Sequence, residues 1–141
     1  MQASLCVLHV DDDAEDRWLF RESLVEVDAT VTLTQFGDGR ELLDFLVQSA
    51  SNAPPVHLII CDMQMAQIGG IGLLEAIKQL PLWKEIPVVI FTTSSFEQDS
   101  KRCLEKGATA FFTKPATYSE NLAVIQQMIS LYSLRPHTLL A

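Results

Sequence analysis

Five short apolar runs alternate with five segments of helical periodicity, and this alternation is the strongest constraint on the fold. The apolar runs occupy residues 5–10, 31–36, 56–61, 88–92 and 110–113. Four of them are almost continuously apolar, as is typical of parallel strands covered on both faces. The run at 31–36 alternates polar and apolar residues, which favours an edge strand. The pattern predicts a doubly wound α/β sandwich with a parallel five-stranded sheet of order 2-1-3-4-5.

The segments between the runs carry apolar residues three or four positions apart, which is the spacing of one helix face. These residues are Phe20, Leu24 and Val27, then Leu42, Phe45 and Leu46, then Leu73, Ile77 and Leu80, and finally Leu122, Ile125, Ile129 and Tyr132. Phe96, Ser100, Cys103 and Leu104 form a weaker stripe between the last two of these groups. Asp13 is expected to cap the first helix, with Asp16 three residues further on as in a capping box. Gly107 is expected to end the fourth helix.

Composition narrows the class of function. A net charge of -8 argues against a surface that binds nucleic acid. No apolar stretch approaches the roughly 20 residues of a membrane span, and the first residues do not resemble a signal peptide. Cys6, Cys61 and Cys103 are interpreted as reduced thiols, which predicts a cytoplasmic protein. The three histidines match no metal-ligand spacing and are expected to be structural or surface residues.

Polar residues follow or close four of the five predicted strands. Asp11 and Asp12 follow the first strand, Asp62 follows the third, Thr92 closes the fourth, and Lys114 follows the fifth. The carboxyl ends of parallel strands share one edge of the sheet, and ligands bind there at the crevice where the winding reverses. The sequence therefore predicts that the three carboxylates lie within a few ångströms of one another.

Such a group of side chains suits phosphoryl transfer. Close carboxylates either raise a pKa or bind a cation, and oxygen ligands favour Mg²⁺. Lys114 could neutralise a phosphoryl oxygen and Thr92 could donate a hydrogen bond to one. Asp62 is then the candidate nucleophile that forms an acyl phosphate. Each of these residues alone also fits a turn or a helix cap, so only their joint placement indicates this chemistry.

The motifs and their order resemble the receiver domain of two-component response regulators over roughly residues 4–133. The likeness lies in VDDD (10–13), LIICDMQMAQIGG (58–70), IPVVIFTTSS (86–95) and GATAFFTKP (107–115). The resemblance implies a flavodoxin-like (βα)5 fold and a single receiver domain at 1–141 with a short tail at 134–141. The chain is similar in particular to single-domain receivers that pair with phytochrome-type kinases.

The resemblance also implies roles for the acidic residues. Asp62 would accept a phosphoryl group from a phosphohistidine on a histidine kinase or a histidine phosphotransfer protein. Mg²⁺ would be bound directly by Asp12, through water by Asp11, and by Asp62 and the backbone carbonyl of Gln64. Gln64 and Ser94 stand at positions that tune the lifetime of the phosphoryl group.

The same resemblance implies a conformational switch. Thr92 and Lys114 would bind the phosphoryl group, and Phe111 would be the aromatic residue that turns inward when Thr92 moves. The peptide bond between Lys114 and Pro115 would be cis. Ala66 departs from the family pattern, which commonly has proline there, and Phe111 is commonly tyrosine.

The expected output is contact with another protein. About eight residues follow the fifth helical pattern, so we expect no attached output domain. Signalling would then use the face of the fourth helix, fifth strand and fifth helix, which could also form a homodimer. One alternative is a pseudo-receiver that keeps the fold without phosphorylation. A phosphatase is the other, but Gln64 stands where such enzymes carry a second aspartate, so no enzymatic turnover of outside substrates is expected.

Overall fold

Strand and helix alternate five times along the chain. The computed structural model describes residues 5–49 and 55–133, without the side chains of 131–133. The strands are β1 (Cys6–Val10), β2 (Thr32–Phe36), β3 (Leu58–Cys61), β4 (Val88–Thr92) and β5 (Ala110–Thr113). The helices are α1 (Ala14–Val27), α2 (Gly39–Gln48), α3 (Gly70–Lys78), α4 (Glu97–Glu105) and α5 (Tyr118–Ser133). Within these ranges, every helix is too short or too polar to cross a bilayer. The tail predicted at 134–141 lies outside the described residues.

The five strands form one parallel sheet in the order β2-β1-β3-β4-β5, which confirms the predicted topology. Val7 of β1 pairs with Leu33 of β2 on one side and with Leu58 of β3 on the other. Thr92 at the end of β4 pairs with Thr113 at the end of β5. The chain order reverses between β1 and β3, so their carboxyl ends border the crevice expected of a doubly wound sheet.

Two apolar clusters cover the two faces of the sheet. Successive side chains of a strand point to opposite faces, and β1 divides its residues accordingly. Val7 packs with Phe20 of α1 and Ile125 of α5. Leu8 packs with Leu42 of α2 and Leu73 of α3 on the other face. The helices therefore bury both faces, and the polar groups collect at the carboxyl edge.

Asp13 and Gly107 determine where α1 begins and where α4 ends. The Asp13 carboxylate accepts hydrogen bonds from the backbone N–H groups of Glu15 and Asp16 at 2.8 and 3.2 Å, which confirms Asp13 as the cap of α1. Gly107 follows α4 with a φ of 108°, a left-handed conformation that glycine adopts without strain. Its N–H donates to the Leu104 carbonyl at 3.1 Å, so Gly107 ends this helix as predicted.

Candidate functional site

Lys114 lies among three carboxylates at the carboxyl edge of the sheet. Its Nζ is 2.7 Å from Oδ2 of Asp11, 3.0 Å from Oδ2 of Asp16 and 3.0 Å from Oδ2 of Asp62. We call these three residues the acidic cluster; each offers a carboxylate oxygen within 4.8 Å of the other two. Asp11 is 1% exposed, so this part of the cluster is closed to solvent.

Backbone hydrogen bonds hold the cluster in register with the sheet. The N–H of Asp11 donates to the Phe36 carbonyl at 3.2 Å, and the N–H of Asp62 donates to the Val10 carbonyl at 3.1 Å. The N–H of Lys114 donates to the Thr92 carbonyl at 2.6 Å. The ladder of the parallel sheet thus continues one residue beyond β1, β3 and β5. This continuation brings side chains from β1, β3 and β5 to one point.

Burial and charge set the protonation of the two central residues. Burial raises the pKa of Asp11, and the hydrogen bond from Lys114 opposes that effect. Burial alone would lower the pKa of Lys114, but the hydrogen bond to Asp11 and the charges of Asp11 and Asp62 leave it raised. Lys114 therefore stays a cation at neutral pH. Three carboxylates against one ammonium still leave an excess of negative charge, which a divalent cation would neutralise.

Asp62 is oriented from both sides. Its Oδ1 accepts a hydrogen bond from the N–H of Gln64 at 3.1 Å, while its Oδ2 accepts from Lys114. Gly70 begins α3 directly against this segment, and a Cβ there would lie 2.5 Å from the Asp62 carbonyl oxygen. The Gly70 N–H donates to the Met63 carbonyl at 2.8 Å. The glycine thus allows α3 to fix the chain that carries Asp62.

Thr92 carries an unsatisfied hydroxyl. The residue is fully buried, and its Oγ1 has no hydrogen-bond partner among the described residues. A buried hydroxyl without a partner costs free energy, and most native structures avoid one. Thr92 closes β4, which pairs with β3, the strand that Asp62 follows.

Asp12 differs from its predicted place. It is not a member of the acidic cluster, which has Asp16 instead. The Asp12 side chain is exposed, and its Oδ2 accepts from the N–H of Ala66 at 3.0 Å. The carboxylate is therefore turned toward the loop that follows β3. Asp11 and Asp62 meet as predicted.

Asp16 is the residue that sequence reasoning missed. Its spacing from Asp13 suggested a capping box, in which the Asp16 carboxylate would accept the Asp13 N–H. That N–H donates instead to Oδ1 of Asp11 at 3.0 Å. The Asp16 carboxylate is thereby free to bind Lys114. The available signal was an acidic residue in the first turn of a helix that starts at the acidic end of β1.

Phe111 and Ser94, the predicted switch and lifetime-tuning residues, both contact neighbouring residues. Phe111 is partly buried against the apolar cluster on the α2, α3 and α4 face. The Ser94 hydroxyl donates to Oδ2 of Asp99 at 2.5 Å and accepts from the Phe96 N–H at 3.3 Å, so it organises the start of α4.

No cis peptide bond occurs among the described residues. The bond before Pro115 is therefore trans, and the cis prediction is wrong for this structure; the trans form is the commoner state, and it already lets Lys114 reach the acidic cluster.

A pocket of about 140 Å³ opens beside Lys114, between α1 and α5. Its lining includes His9, which is 2% exposed and stacks on Phe20 with 4.0 Å between ring centroids. Nδ1 of His9 accepts from the Gln35 amide at 3.1 Å. Burial, followed by the charges of Lys114 and Arg17, lowers the pKa of His9 to about 3. His9 is therefore a neutral structural residue.

Comparison with known proteins places the chain in a family. The model of the "Response regulator receiver domain" matches residues 7–126. The two-component response regulator ARR8 of Arabidopsis thaliana is 31% identical over 145 residues, which cover 93% of this chain and 59% of that protein. The chain thus spans about three fifths of the length of that relative.

Solved structures of response regulators superpose on this chain over most of its length. The phosphorylated cyanobacterial phytochrome response regulator RcpA superposes with a TM-score of 0.84 at 26% identity, covering 94% of this chain and 96% of RcpA. The Mn²⁺-bound form of response regulator Rcp1 gives 0.80 at 29% identity, covering 93% and 96%. By its sequence, its strand order and the position of Asp62 at the carboxyl edge, the chain belongs to the response regulator receiver family.

Proposed function

We propose that this chain is a phosphorylatable receiver in which Asp62 accepts a phosphoryl group from a phosphohistidine. The donor would be a histidine kinase or a histidine phosphotransfer protein, the classes from which receiver domains take their signals. The observation that carries the proposal is the placement of the Asp62 carboxylate at the carboxyl edge, 3.0 Å from the Lys114 ammonium. A nucleophile and a fixed cation are thereby brought together at the end of β3.

The proposed reaction joins one oxygen of Asp62 to the phosphorus of the donor. As this bond forms, the phosphorus–nitrogen bond of the phosphohistidine breaks, and its electron pair remains on the imidazole nitrogen. The released imidazole takes up one proton from solvent. Negative charge on the phosphoryl oxygens must be neutralised during transfer. Lys114 supplies one positive charge at that point, and the Thr92 hydroxyl supplies a hydrogen bond.

Mg²⁺ is the cofactor we propose for this reaction. Asp11 and Asp62 would hold it, and the family pattern adds Asp12 and the backbone carbonyl of Gln64. The excess negative charge of the acidic cluster and its hard oxygen donors suit this ion. When bound, Mg²⁺ neutralises charge on the transferring phosphoryl group. The Mn²⁺-bound form of Rcp1 supports a divalent cation in a related protein.

The response to phosphorylation would start at Thr92. A hydrogen bond from its hydroxyl to the phosphoryl group would satisfy the one buried side-chain oxygen or nitrogen that lacks a partner among the described residues. Thr92 pairs directly with Thr113 of β5, and the Thr113 hydroxyl donates to the Ser94 carbonyl at 2.8 Å. A shift of Thr92 would therefore move β5 and the segment before α4. Phe111, two residues before Thr113, would repack in that movement.

The output would be contact through the face of α4, β5 and α5, as in a single-domain regulator. Phe96, which directly precedes α4, and Leu104 within α4 support this choice because they are 73% and 46% exposed. A target protein or a second copy of the chain could cover them. Free cysteines fit the cytoplasmic location that we propose.

Phosphorylation is tested by the mass of the intact protein after incubation with acetyl phosphate and Mg²⁺. We expect the gain of one phosphoryl group, lost in Asp62→Asn and lost when Mg²⁺ is chelated. Asp44→Asn is the matched control, because Asp44 is an exposed carboxylate of α2. It should retain the gain. No gain in the wild type would instead favour the pseudo-receiver, and steady hydrolysis of an added phosphate ester would favour an enzyme.

The output face is tested separately by sedimentation and by binding to the cognate target. Phe96→Ser should abolish a phosphorylation-dependent association without changing phosphorylation. Val47→Ser is its control, because Val47 is 57% exposed on α2. An association that survives Phe96→Ser but not Val47→Ser would place the output elsewhere.

A further inference from the structure

Asp16 is a charged residue at the site that the proposed reaction does not use. It lies in the first turn of α1, and its Oδ2 accepts a hydrogen bond from Nζ of Lys114 at 3.0 Å. Its side chain is 39% exposed, whereas those of Asp11 and Asp62 are 1% and 11% exposed. Asp16 therefore forms the outermost of the three contacts to the lysine.

The three contacts use the whole donor capacity of the ammonium. A lysine has three N–H donors, and Lys114 contacts three different carboxylates. Asp11 and Asp16 lie on one side of the crevice, at the end of β1 and the start of α1. Asp62 lies on the other side, at the end of β3. Phosphoryl transfer changes the Asp62 contact, and Asp16 lies outside the carboxylates proposed to hold Mg²⁺. Asp16 can therefore keep the nitrogen in place while its other partners change.

The start of α1 fixes Asp16 for this role. Oδ1 of Asp13 accepts the Asp16 N–H at 3.2 Å, which places the backbone of Asp16 in the first helical turn. Oδ1 of Asp11 accepts the Asp13 N–H at 3.0 Å, which leaves the Asp16 carboxylate unused by the cap. The same short segment thus anchors both carboxylates that hold the lysine from the α1 side.

We propose that Asp16 is a positioning residue for phosphoryl transfer: together with Asp11 it directs the Lys114 ammonium toward the acceptor carboxylate of Asp62 and so accelerates phosphorylation. The inference rests on the proposed function. Its basis is that a cation held beforehand at the point where charge develops does not have to be reoriented during the reaction.

The first test is the rate of phosphorylation by acetyl phosphate in Mg²⁺. Asp16→Asn should lower the rate at saturating donor by about two- to fivefold, since a partly exposed charge pair is worth little more. The donor concentration at half-maximal rate and the affinity for Mg²⁺ should not change. Asp16→Glu should restore most of the rate. Glu15→Gln is the matched control, because it removes one exposed carboxylate from the same helical turn and should leave the rate unchanged.

The decisive test asks whether Asp16 acts through Lys114. In a Lys114→Gln background, Asp16→Asn should cause no further loss of rate, because the contact is already gone. An equal loss in both backgrounds would overturn the inference. A weakened affinity for Mg²⁺ in Asp16→Asn would overturn it as well, since Asp16 would then act as a metal ligand.

A spectroscopic readout separates this inference from the proposed function. The ¹⁵N–¹H signal of the Lys114 ammonium should be visible in the wild type, where its protons are held in hydrogen bonds, and in Glu15→Gln. It should weaken in Asp16→Asn. A wild type that takes up no phosphoryl group would sink the proposed function whatever this signal does. A phosphorylated wild type whose lysine signal and rate are the same in Asp16→Asn would sink the inference alone.

Discussion

The ammonium nitrogen of Lys114 lies 2.7 Å from Oδ2 of Asp11, across 103 positions of sequence. Asp11 is 1% exposed, and burial raises its pKa. A buried carboxylate needs a partner that compensates its charge. Removing one partner of a buried ion pair destabilises the fold by more than the intact pair stabilises it. The lysine that we propose for phosphoryl transfer is therefore also expected to support the metal-free fold.

Replacing the lysine should expose this dependence. Lys114→Met should lower the free energy of unfolding by about 3 kcal/mol in the absence of metal, because Asp11 loses its buried partner. Mg²⁺ should stabilise the variant more than the wild type, since it no longer competes with an ammonium for the same carboxylates. Urea denaturation with chelator and with Mg²⁺ measures both effects.

The control is a surface lysine in an ion pair. Lys106 lies 2.9 Å from Glu75, with side chains 47% and 50% exposed. Lys106→Met should cost less than about 1 kcal/mol and should not alter the effect of Mg²⁺. Equal stabilisation of wild type and Lys114→Met by Mg²⁺ would contradict competition for the acidic cluster.

Removing the unsatisfied hydroxyl of Thr92 should stabilise the fold, whereas Lys114→Met should destabilise it. Thr92→Val replaces the hydroxyl by a methyl group of similar size, and it should raise the free energy of unfolding by about 1 kcal/mol. The same variant should be phosphorylated but should lose the conformational response. Urea denaturation measures the first effect, and binding to the target or dimerisation measures the second.

Thr113→Val provides the comparison at the paired position of β5. Its hydroxyl donates to the Ser94 carbonyl at 2.8 Å, so this substitution should destabilise the protein by about 1 kcal/mol. If Thr92→Val is instead the more harmful of the two, the Thr92 hydroxyl must already have a partner, and its availability to a phosphoryl group would be disproved.

The fold could be predicted because its signals are local and repeated. The apolar runs predicted β4 and β5 at the bounds that the structure has, and they predicted the last residue of every strand. They began β1 and β2 one residue too early and β3 two residues too early. Alternation of strand and helix then restricts the topology, because parallel neighbours require crossovers of one hand. Asp11 and Asp62 could be brought together on that basis alone, since both follow strands that border the crevice.

The details of the site could not be predicted in the same way. Asp12 and Asp16 are both acidic and both near the end of β1, and the sequence does not show which of them turns toward Lys114. That choice depends on where the Asp13 N–H donates and on the approach of Ala66 from a loop 54 positions away. Such choices follow from tertiary contacts, which spacing along the chain does not encode.

Substitution of Gly70 tests how closely α3 supports the segment that carries Asp62. A Cβ at this position would lie 2.5 Å from the Asp62 carbonyl oxygen and 2.7 Å from Cα of Met63, so backbone must move. Gly70→Ala should lower the free energy of unfolding by about 1 to 3 kcal/mol and slow phosphorylation of Asp62. Thermal denaturation and the acetyl phosphate assay measure these effects.

Gly72→Ala is the matched variant in the same helix. A Cβ at Gly72 would lie 3.3 Å from the flexible side chain of Ile68, so the site can adjust. Alanine should then be neutral or stabilising by up to about 1 kcal/mol, the difference in helix propensity. Equal destabilisation by both substitutions would show that the approach of α3 to Asp62 is not the reason for Gly70.

His9 gives the fold a dependence on pH that can be assigned to one residue. Burial is the main cause of its lowered pKa of about 3 in the folded protein, against 6.5 for an ordinary histidine. Above pH 6.5 the residue is neutral in both folded and unfolded chains and adds no pH dependence. Below that value the unfolded chain binds a proton that the folded chain does not. Stability should therefore fall by about 1.4 kcal/mol for each pH unit below 6.5, until the pH approaches 3.

His9→Gln removes the titrating group and keeps an acceptor for the Gln35 amide. Urea denaturation of metal-free protein near pH 6.5 and near pH 5 should show a loss about 2 kcal/mol larger in the wild type than in the variant. The carboxylates are the same in both proteins, so their contribution cancels in the difference. Equal losses in the two proteins would mean that His9 takes up its proton in the folded state, which its stacking on Phe20 and its burial argue against.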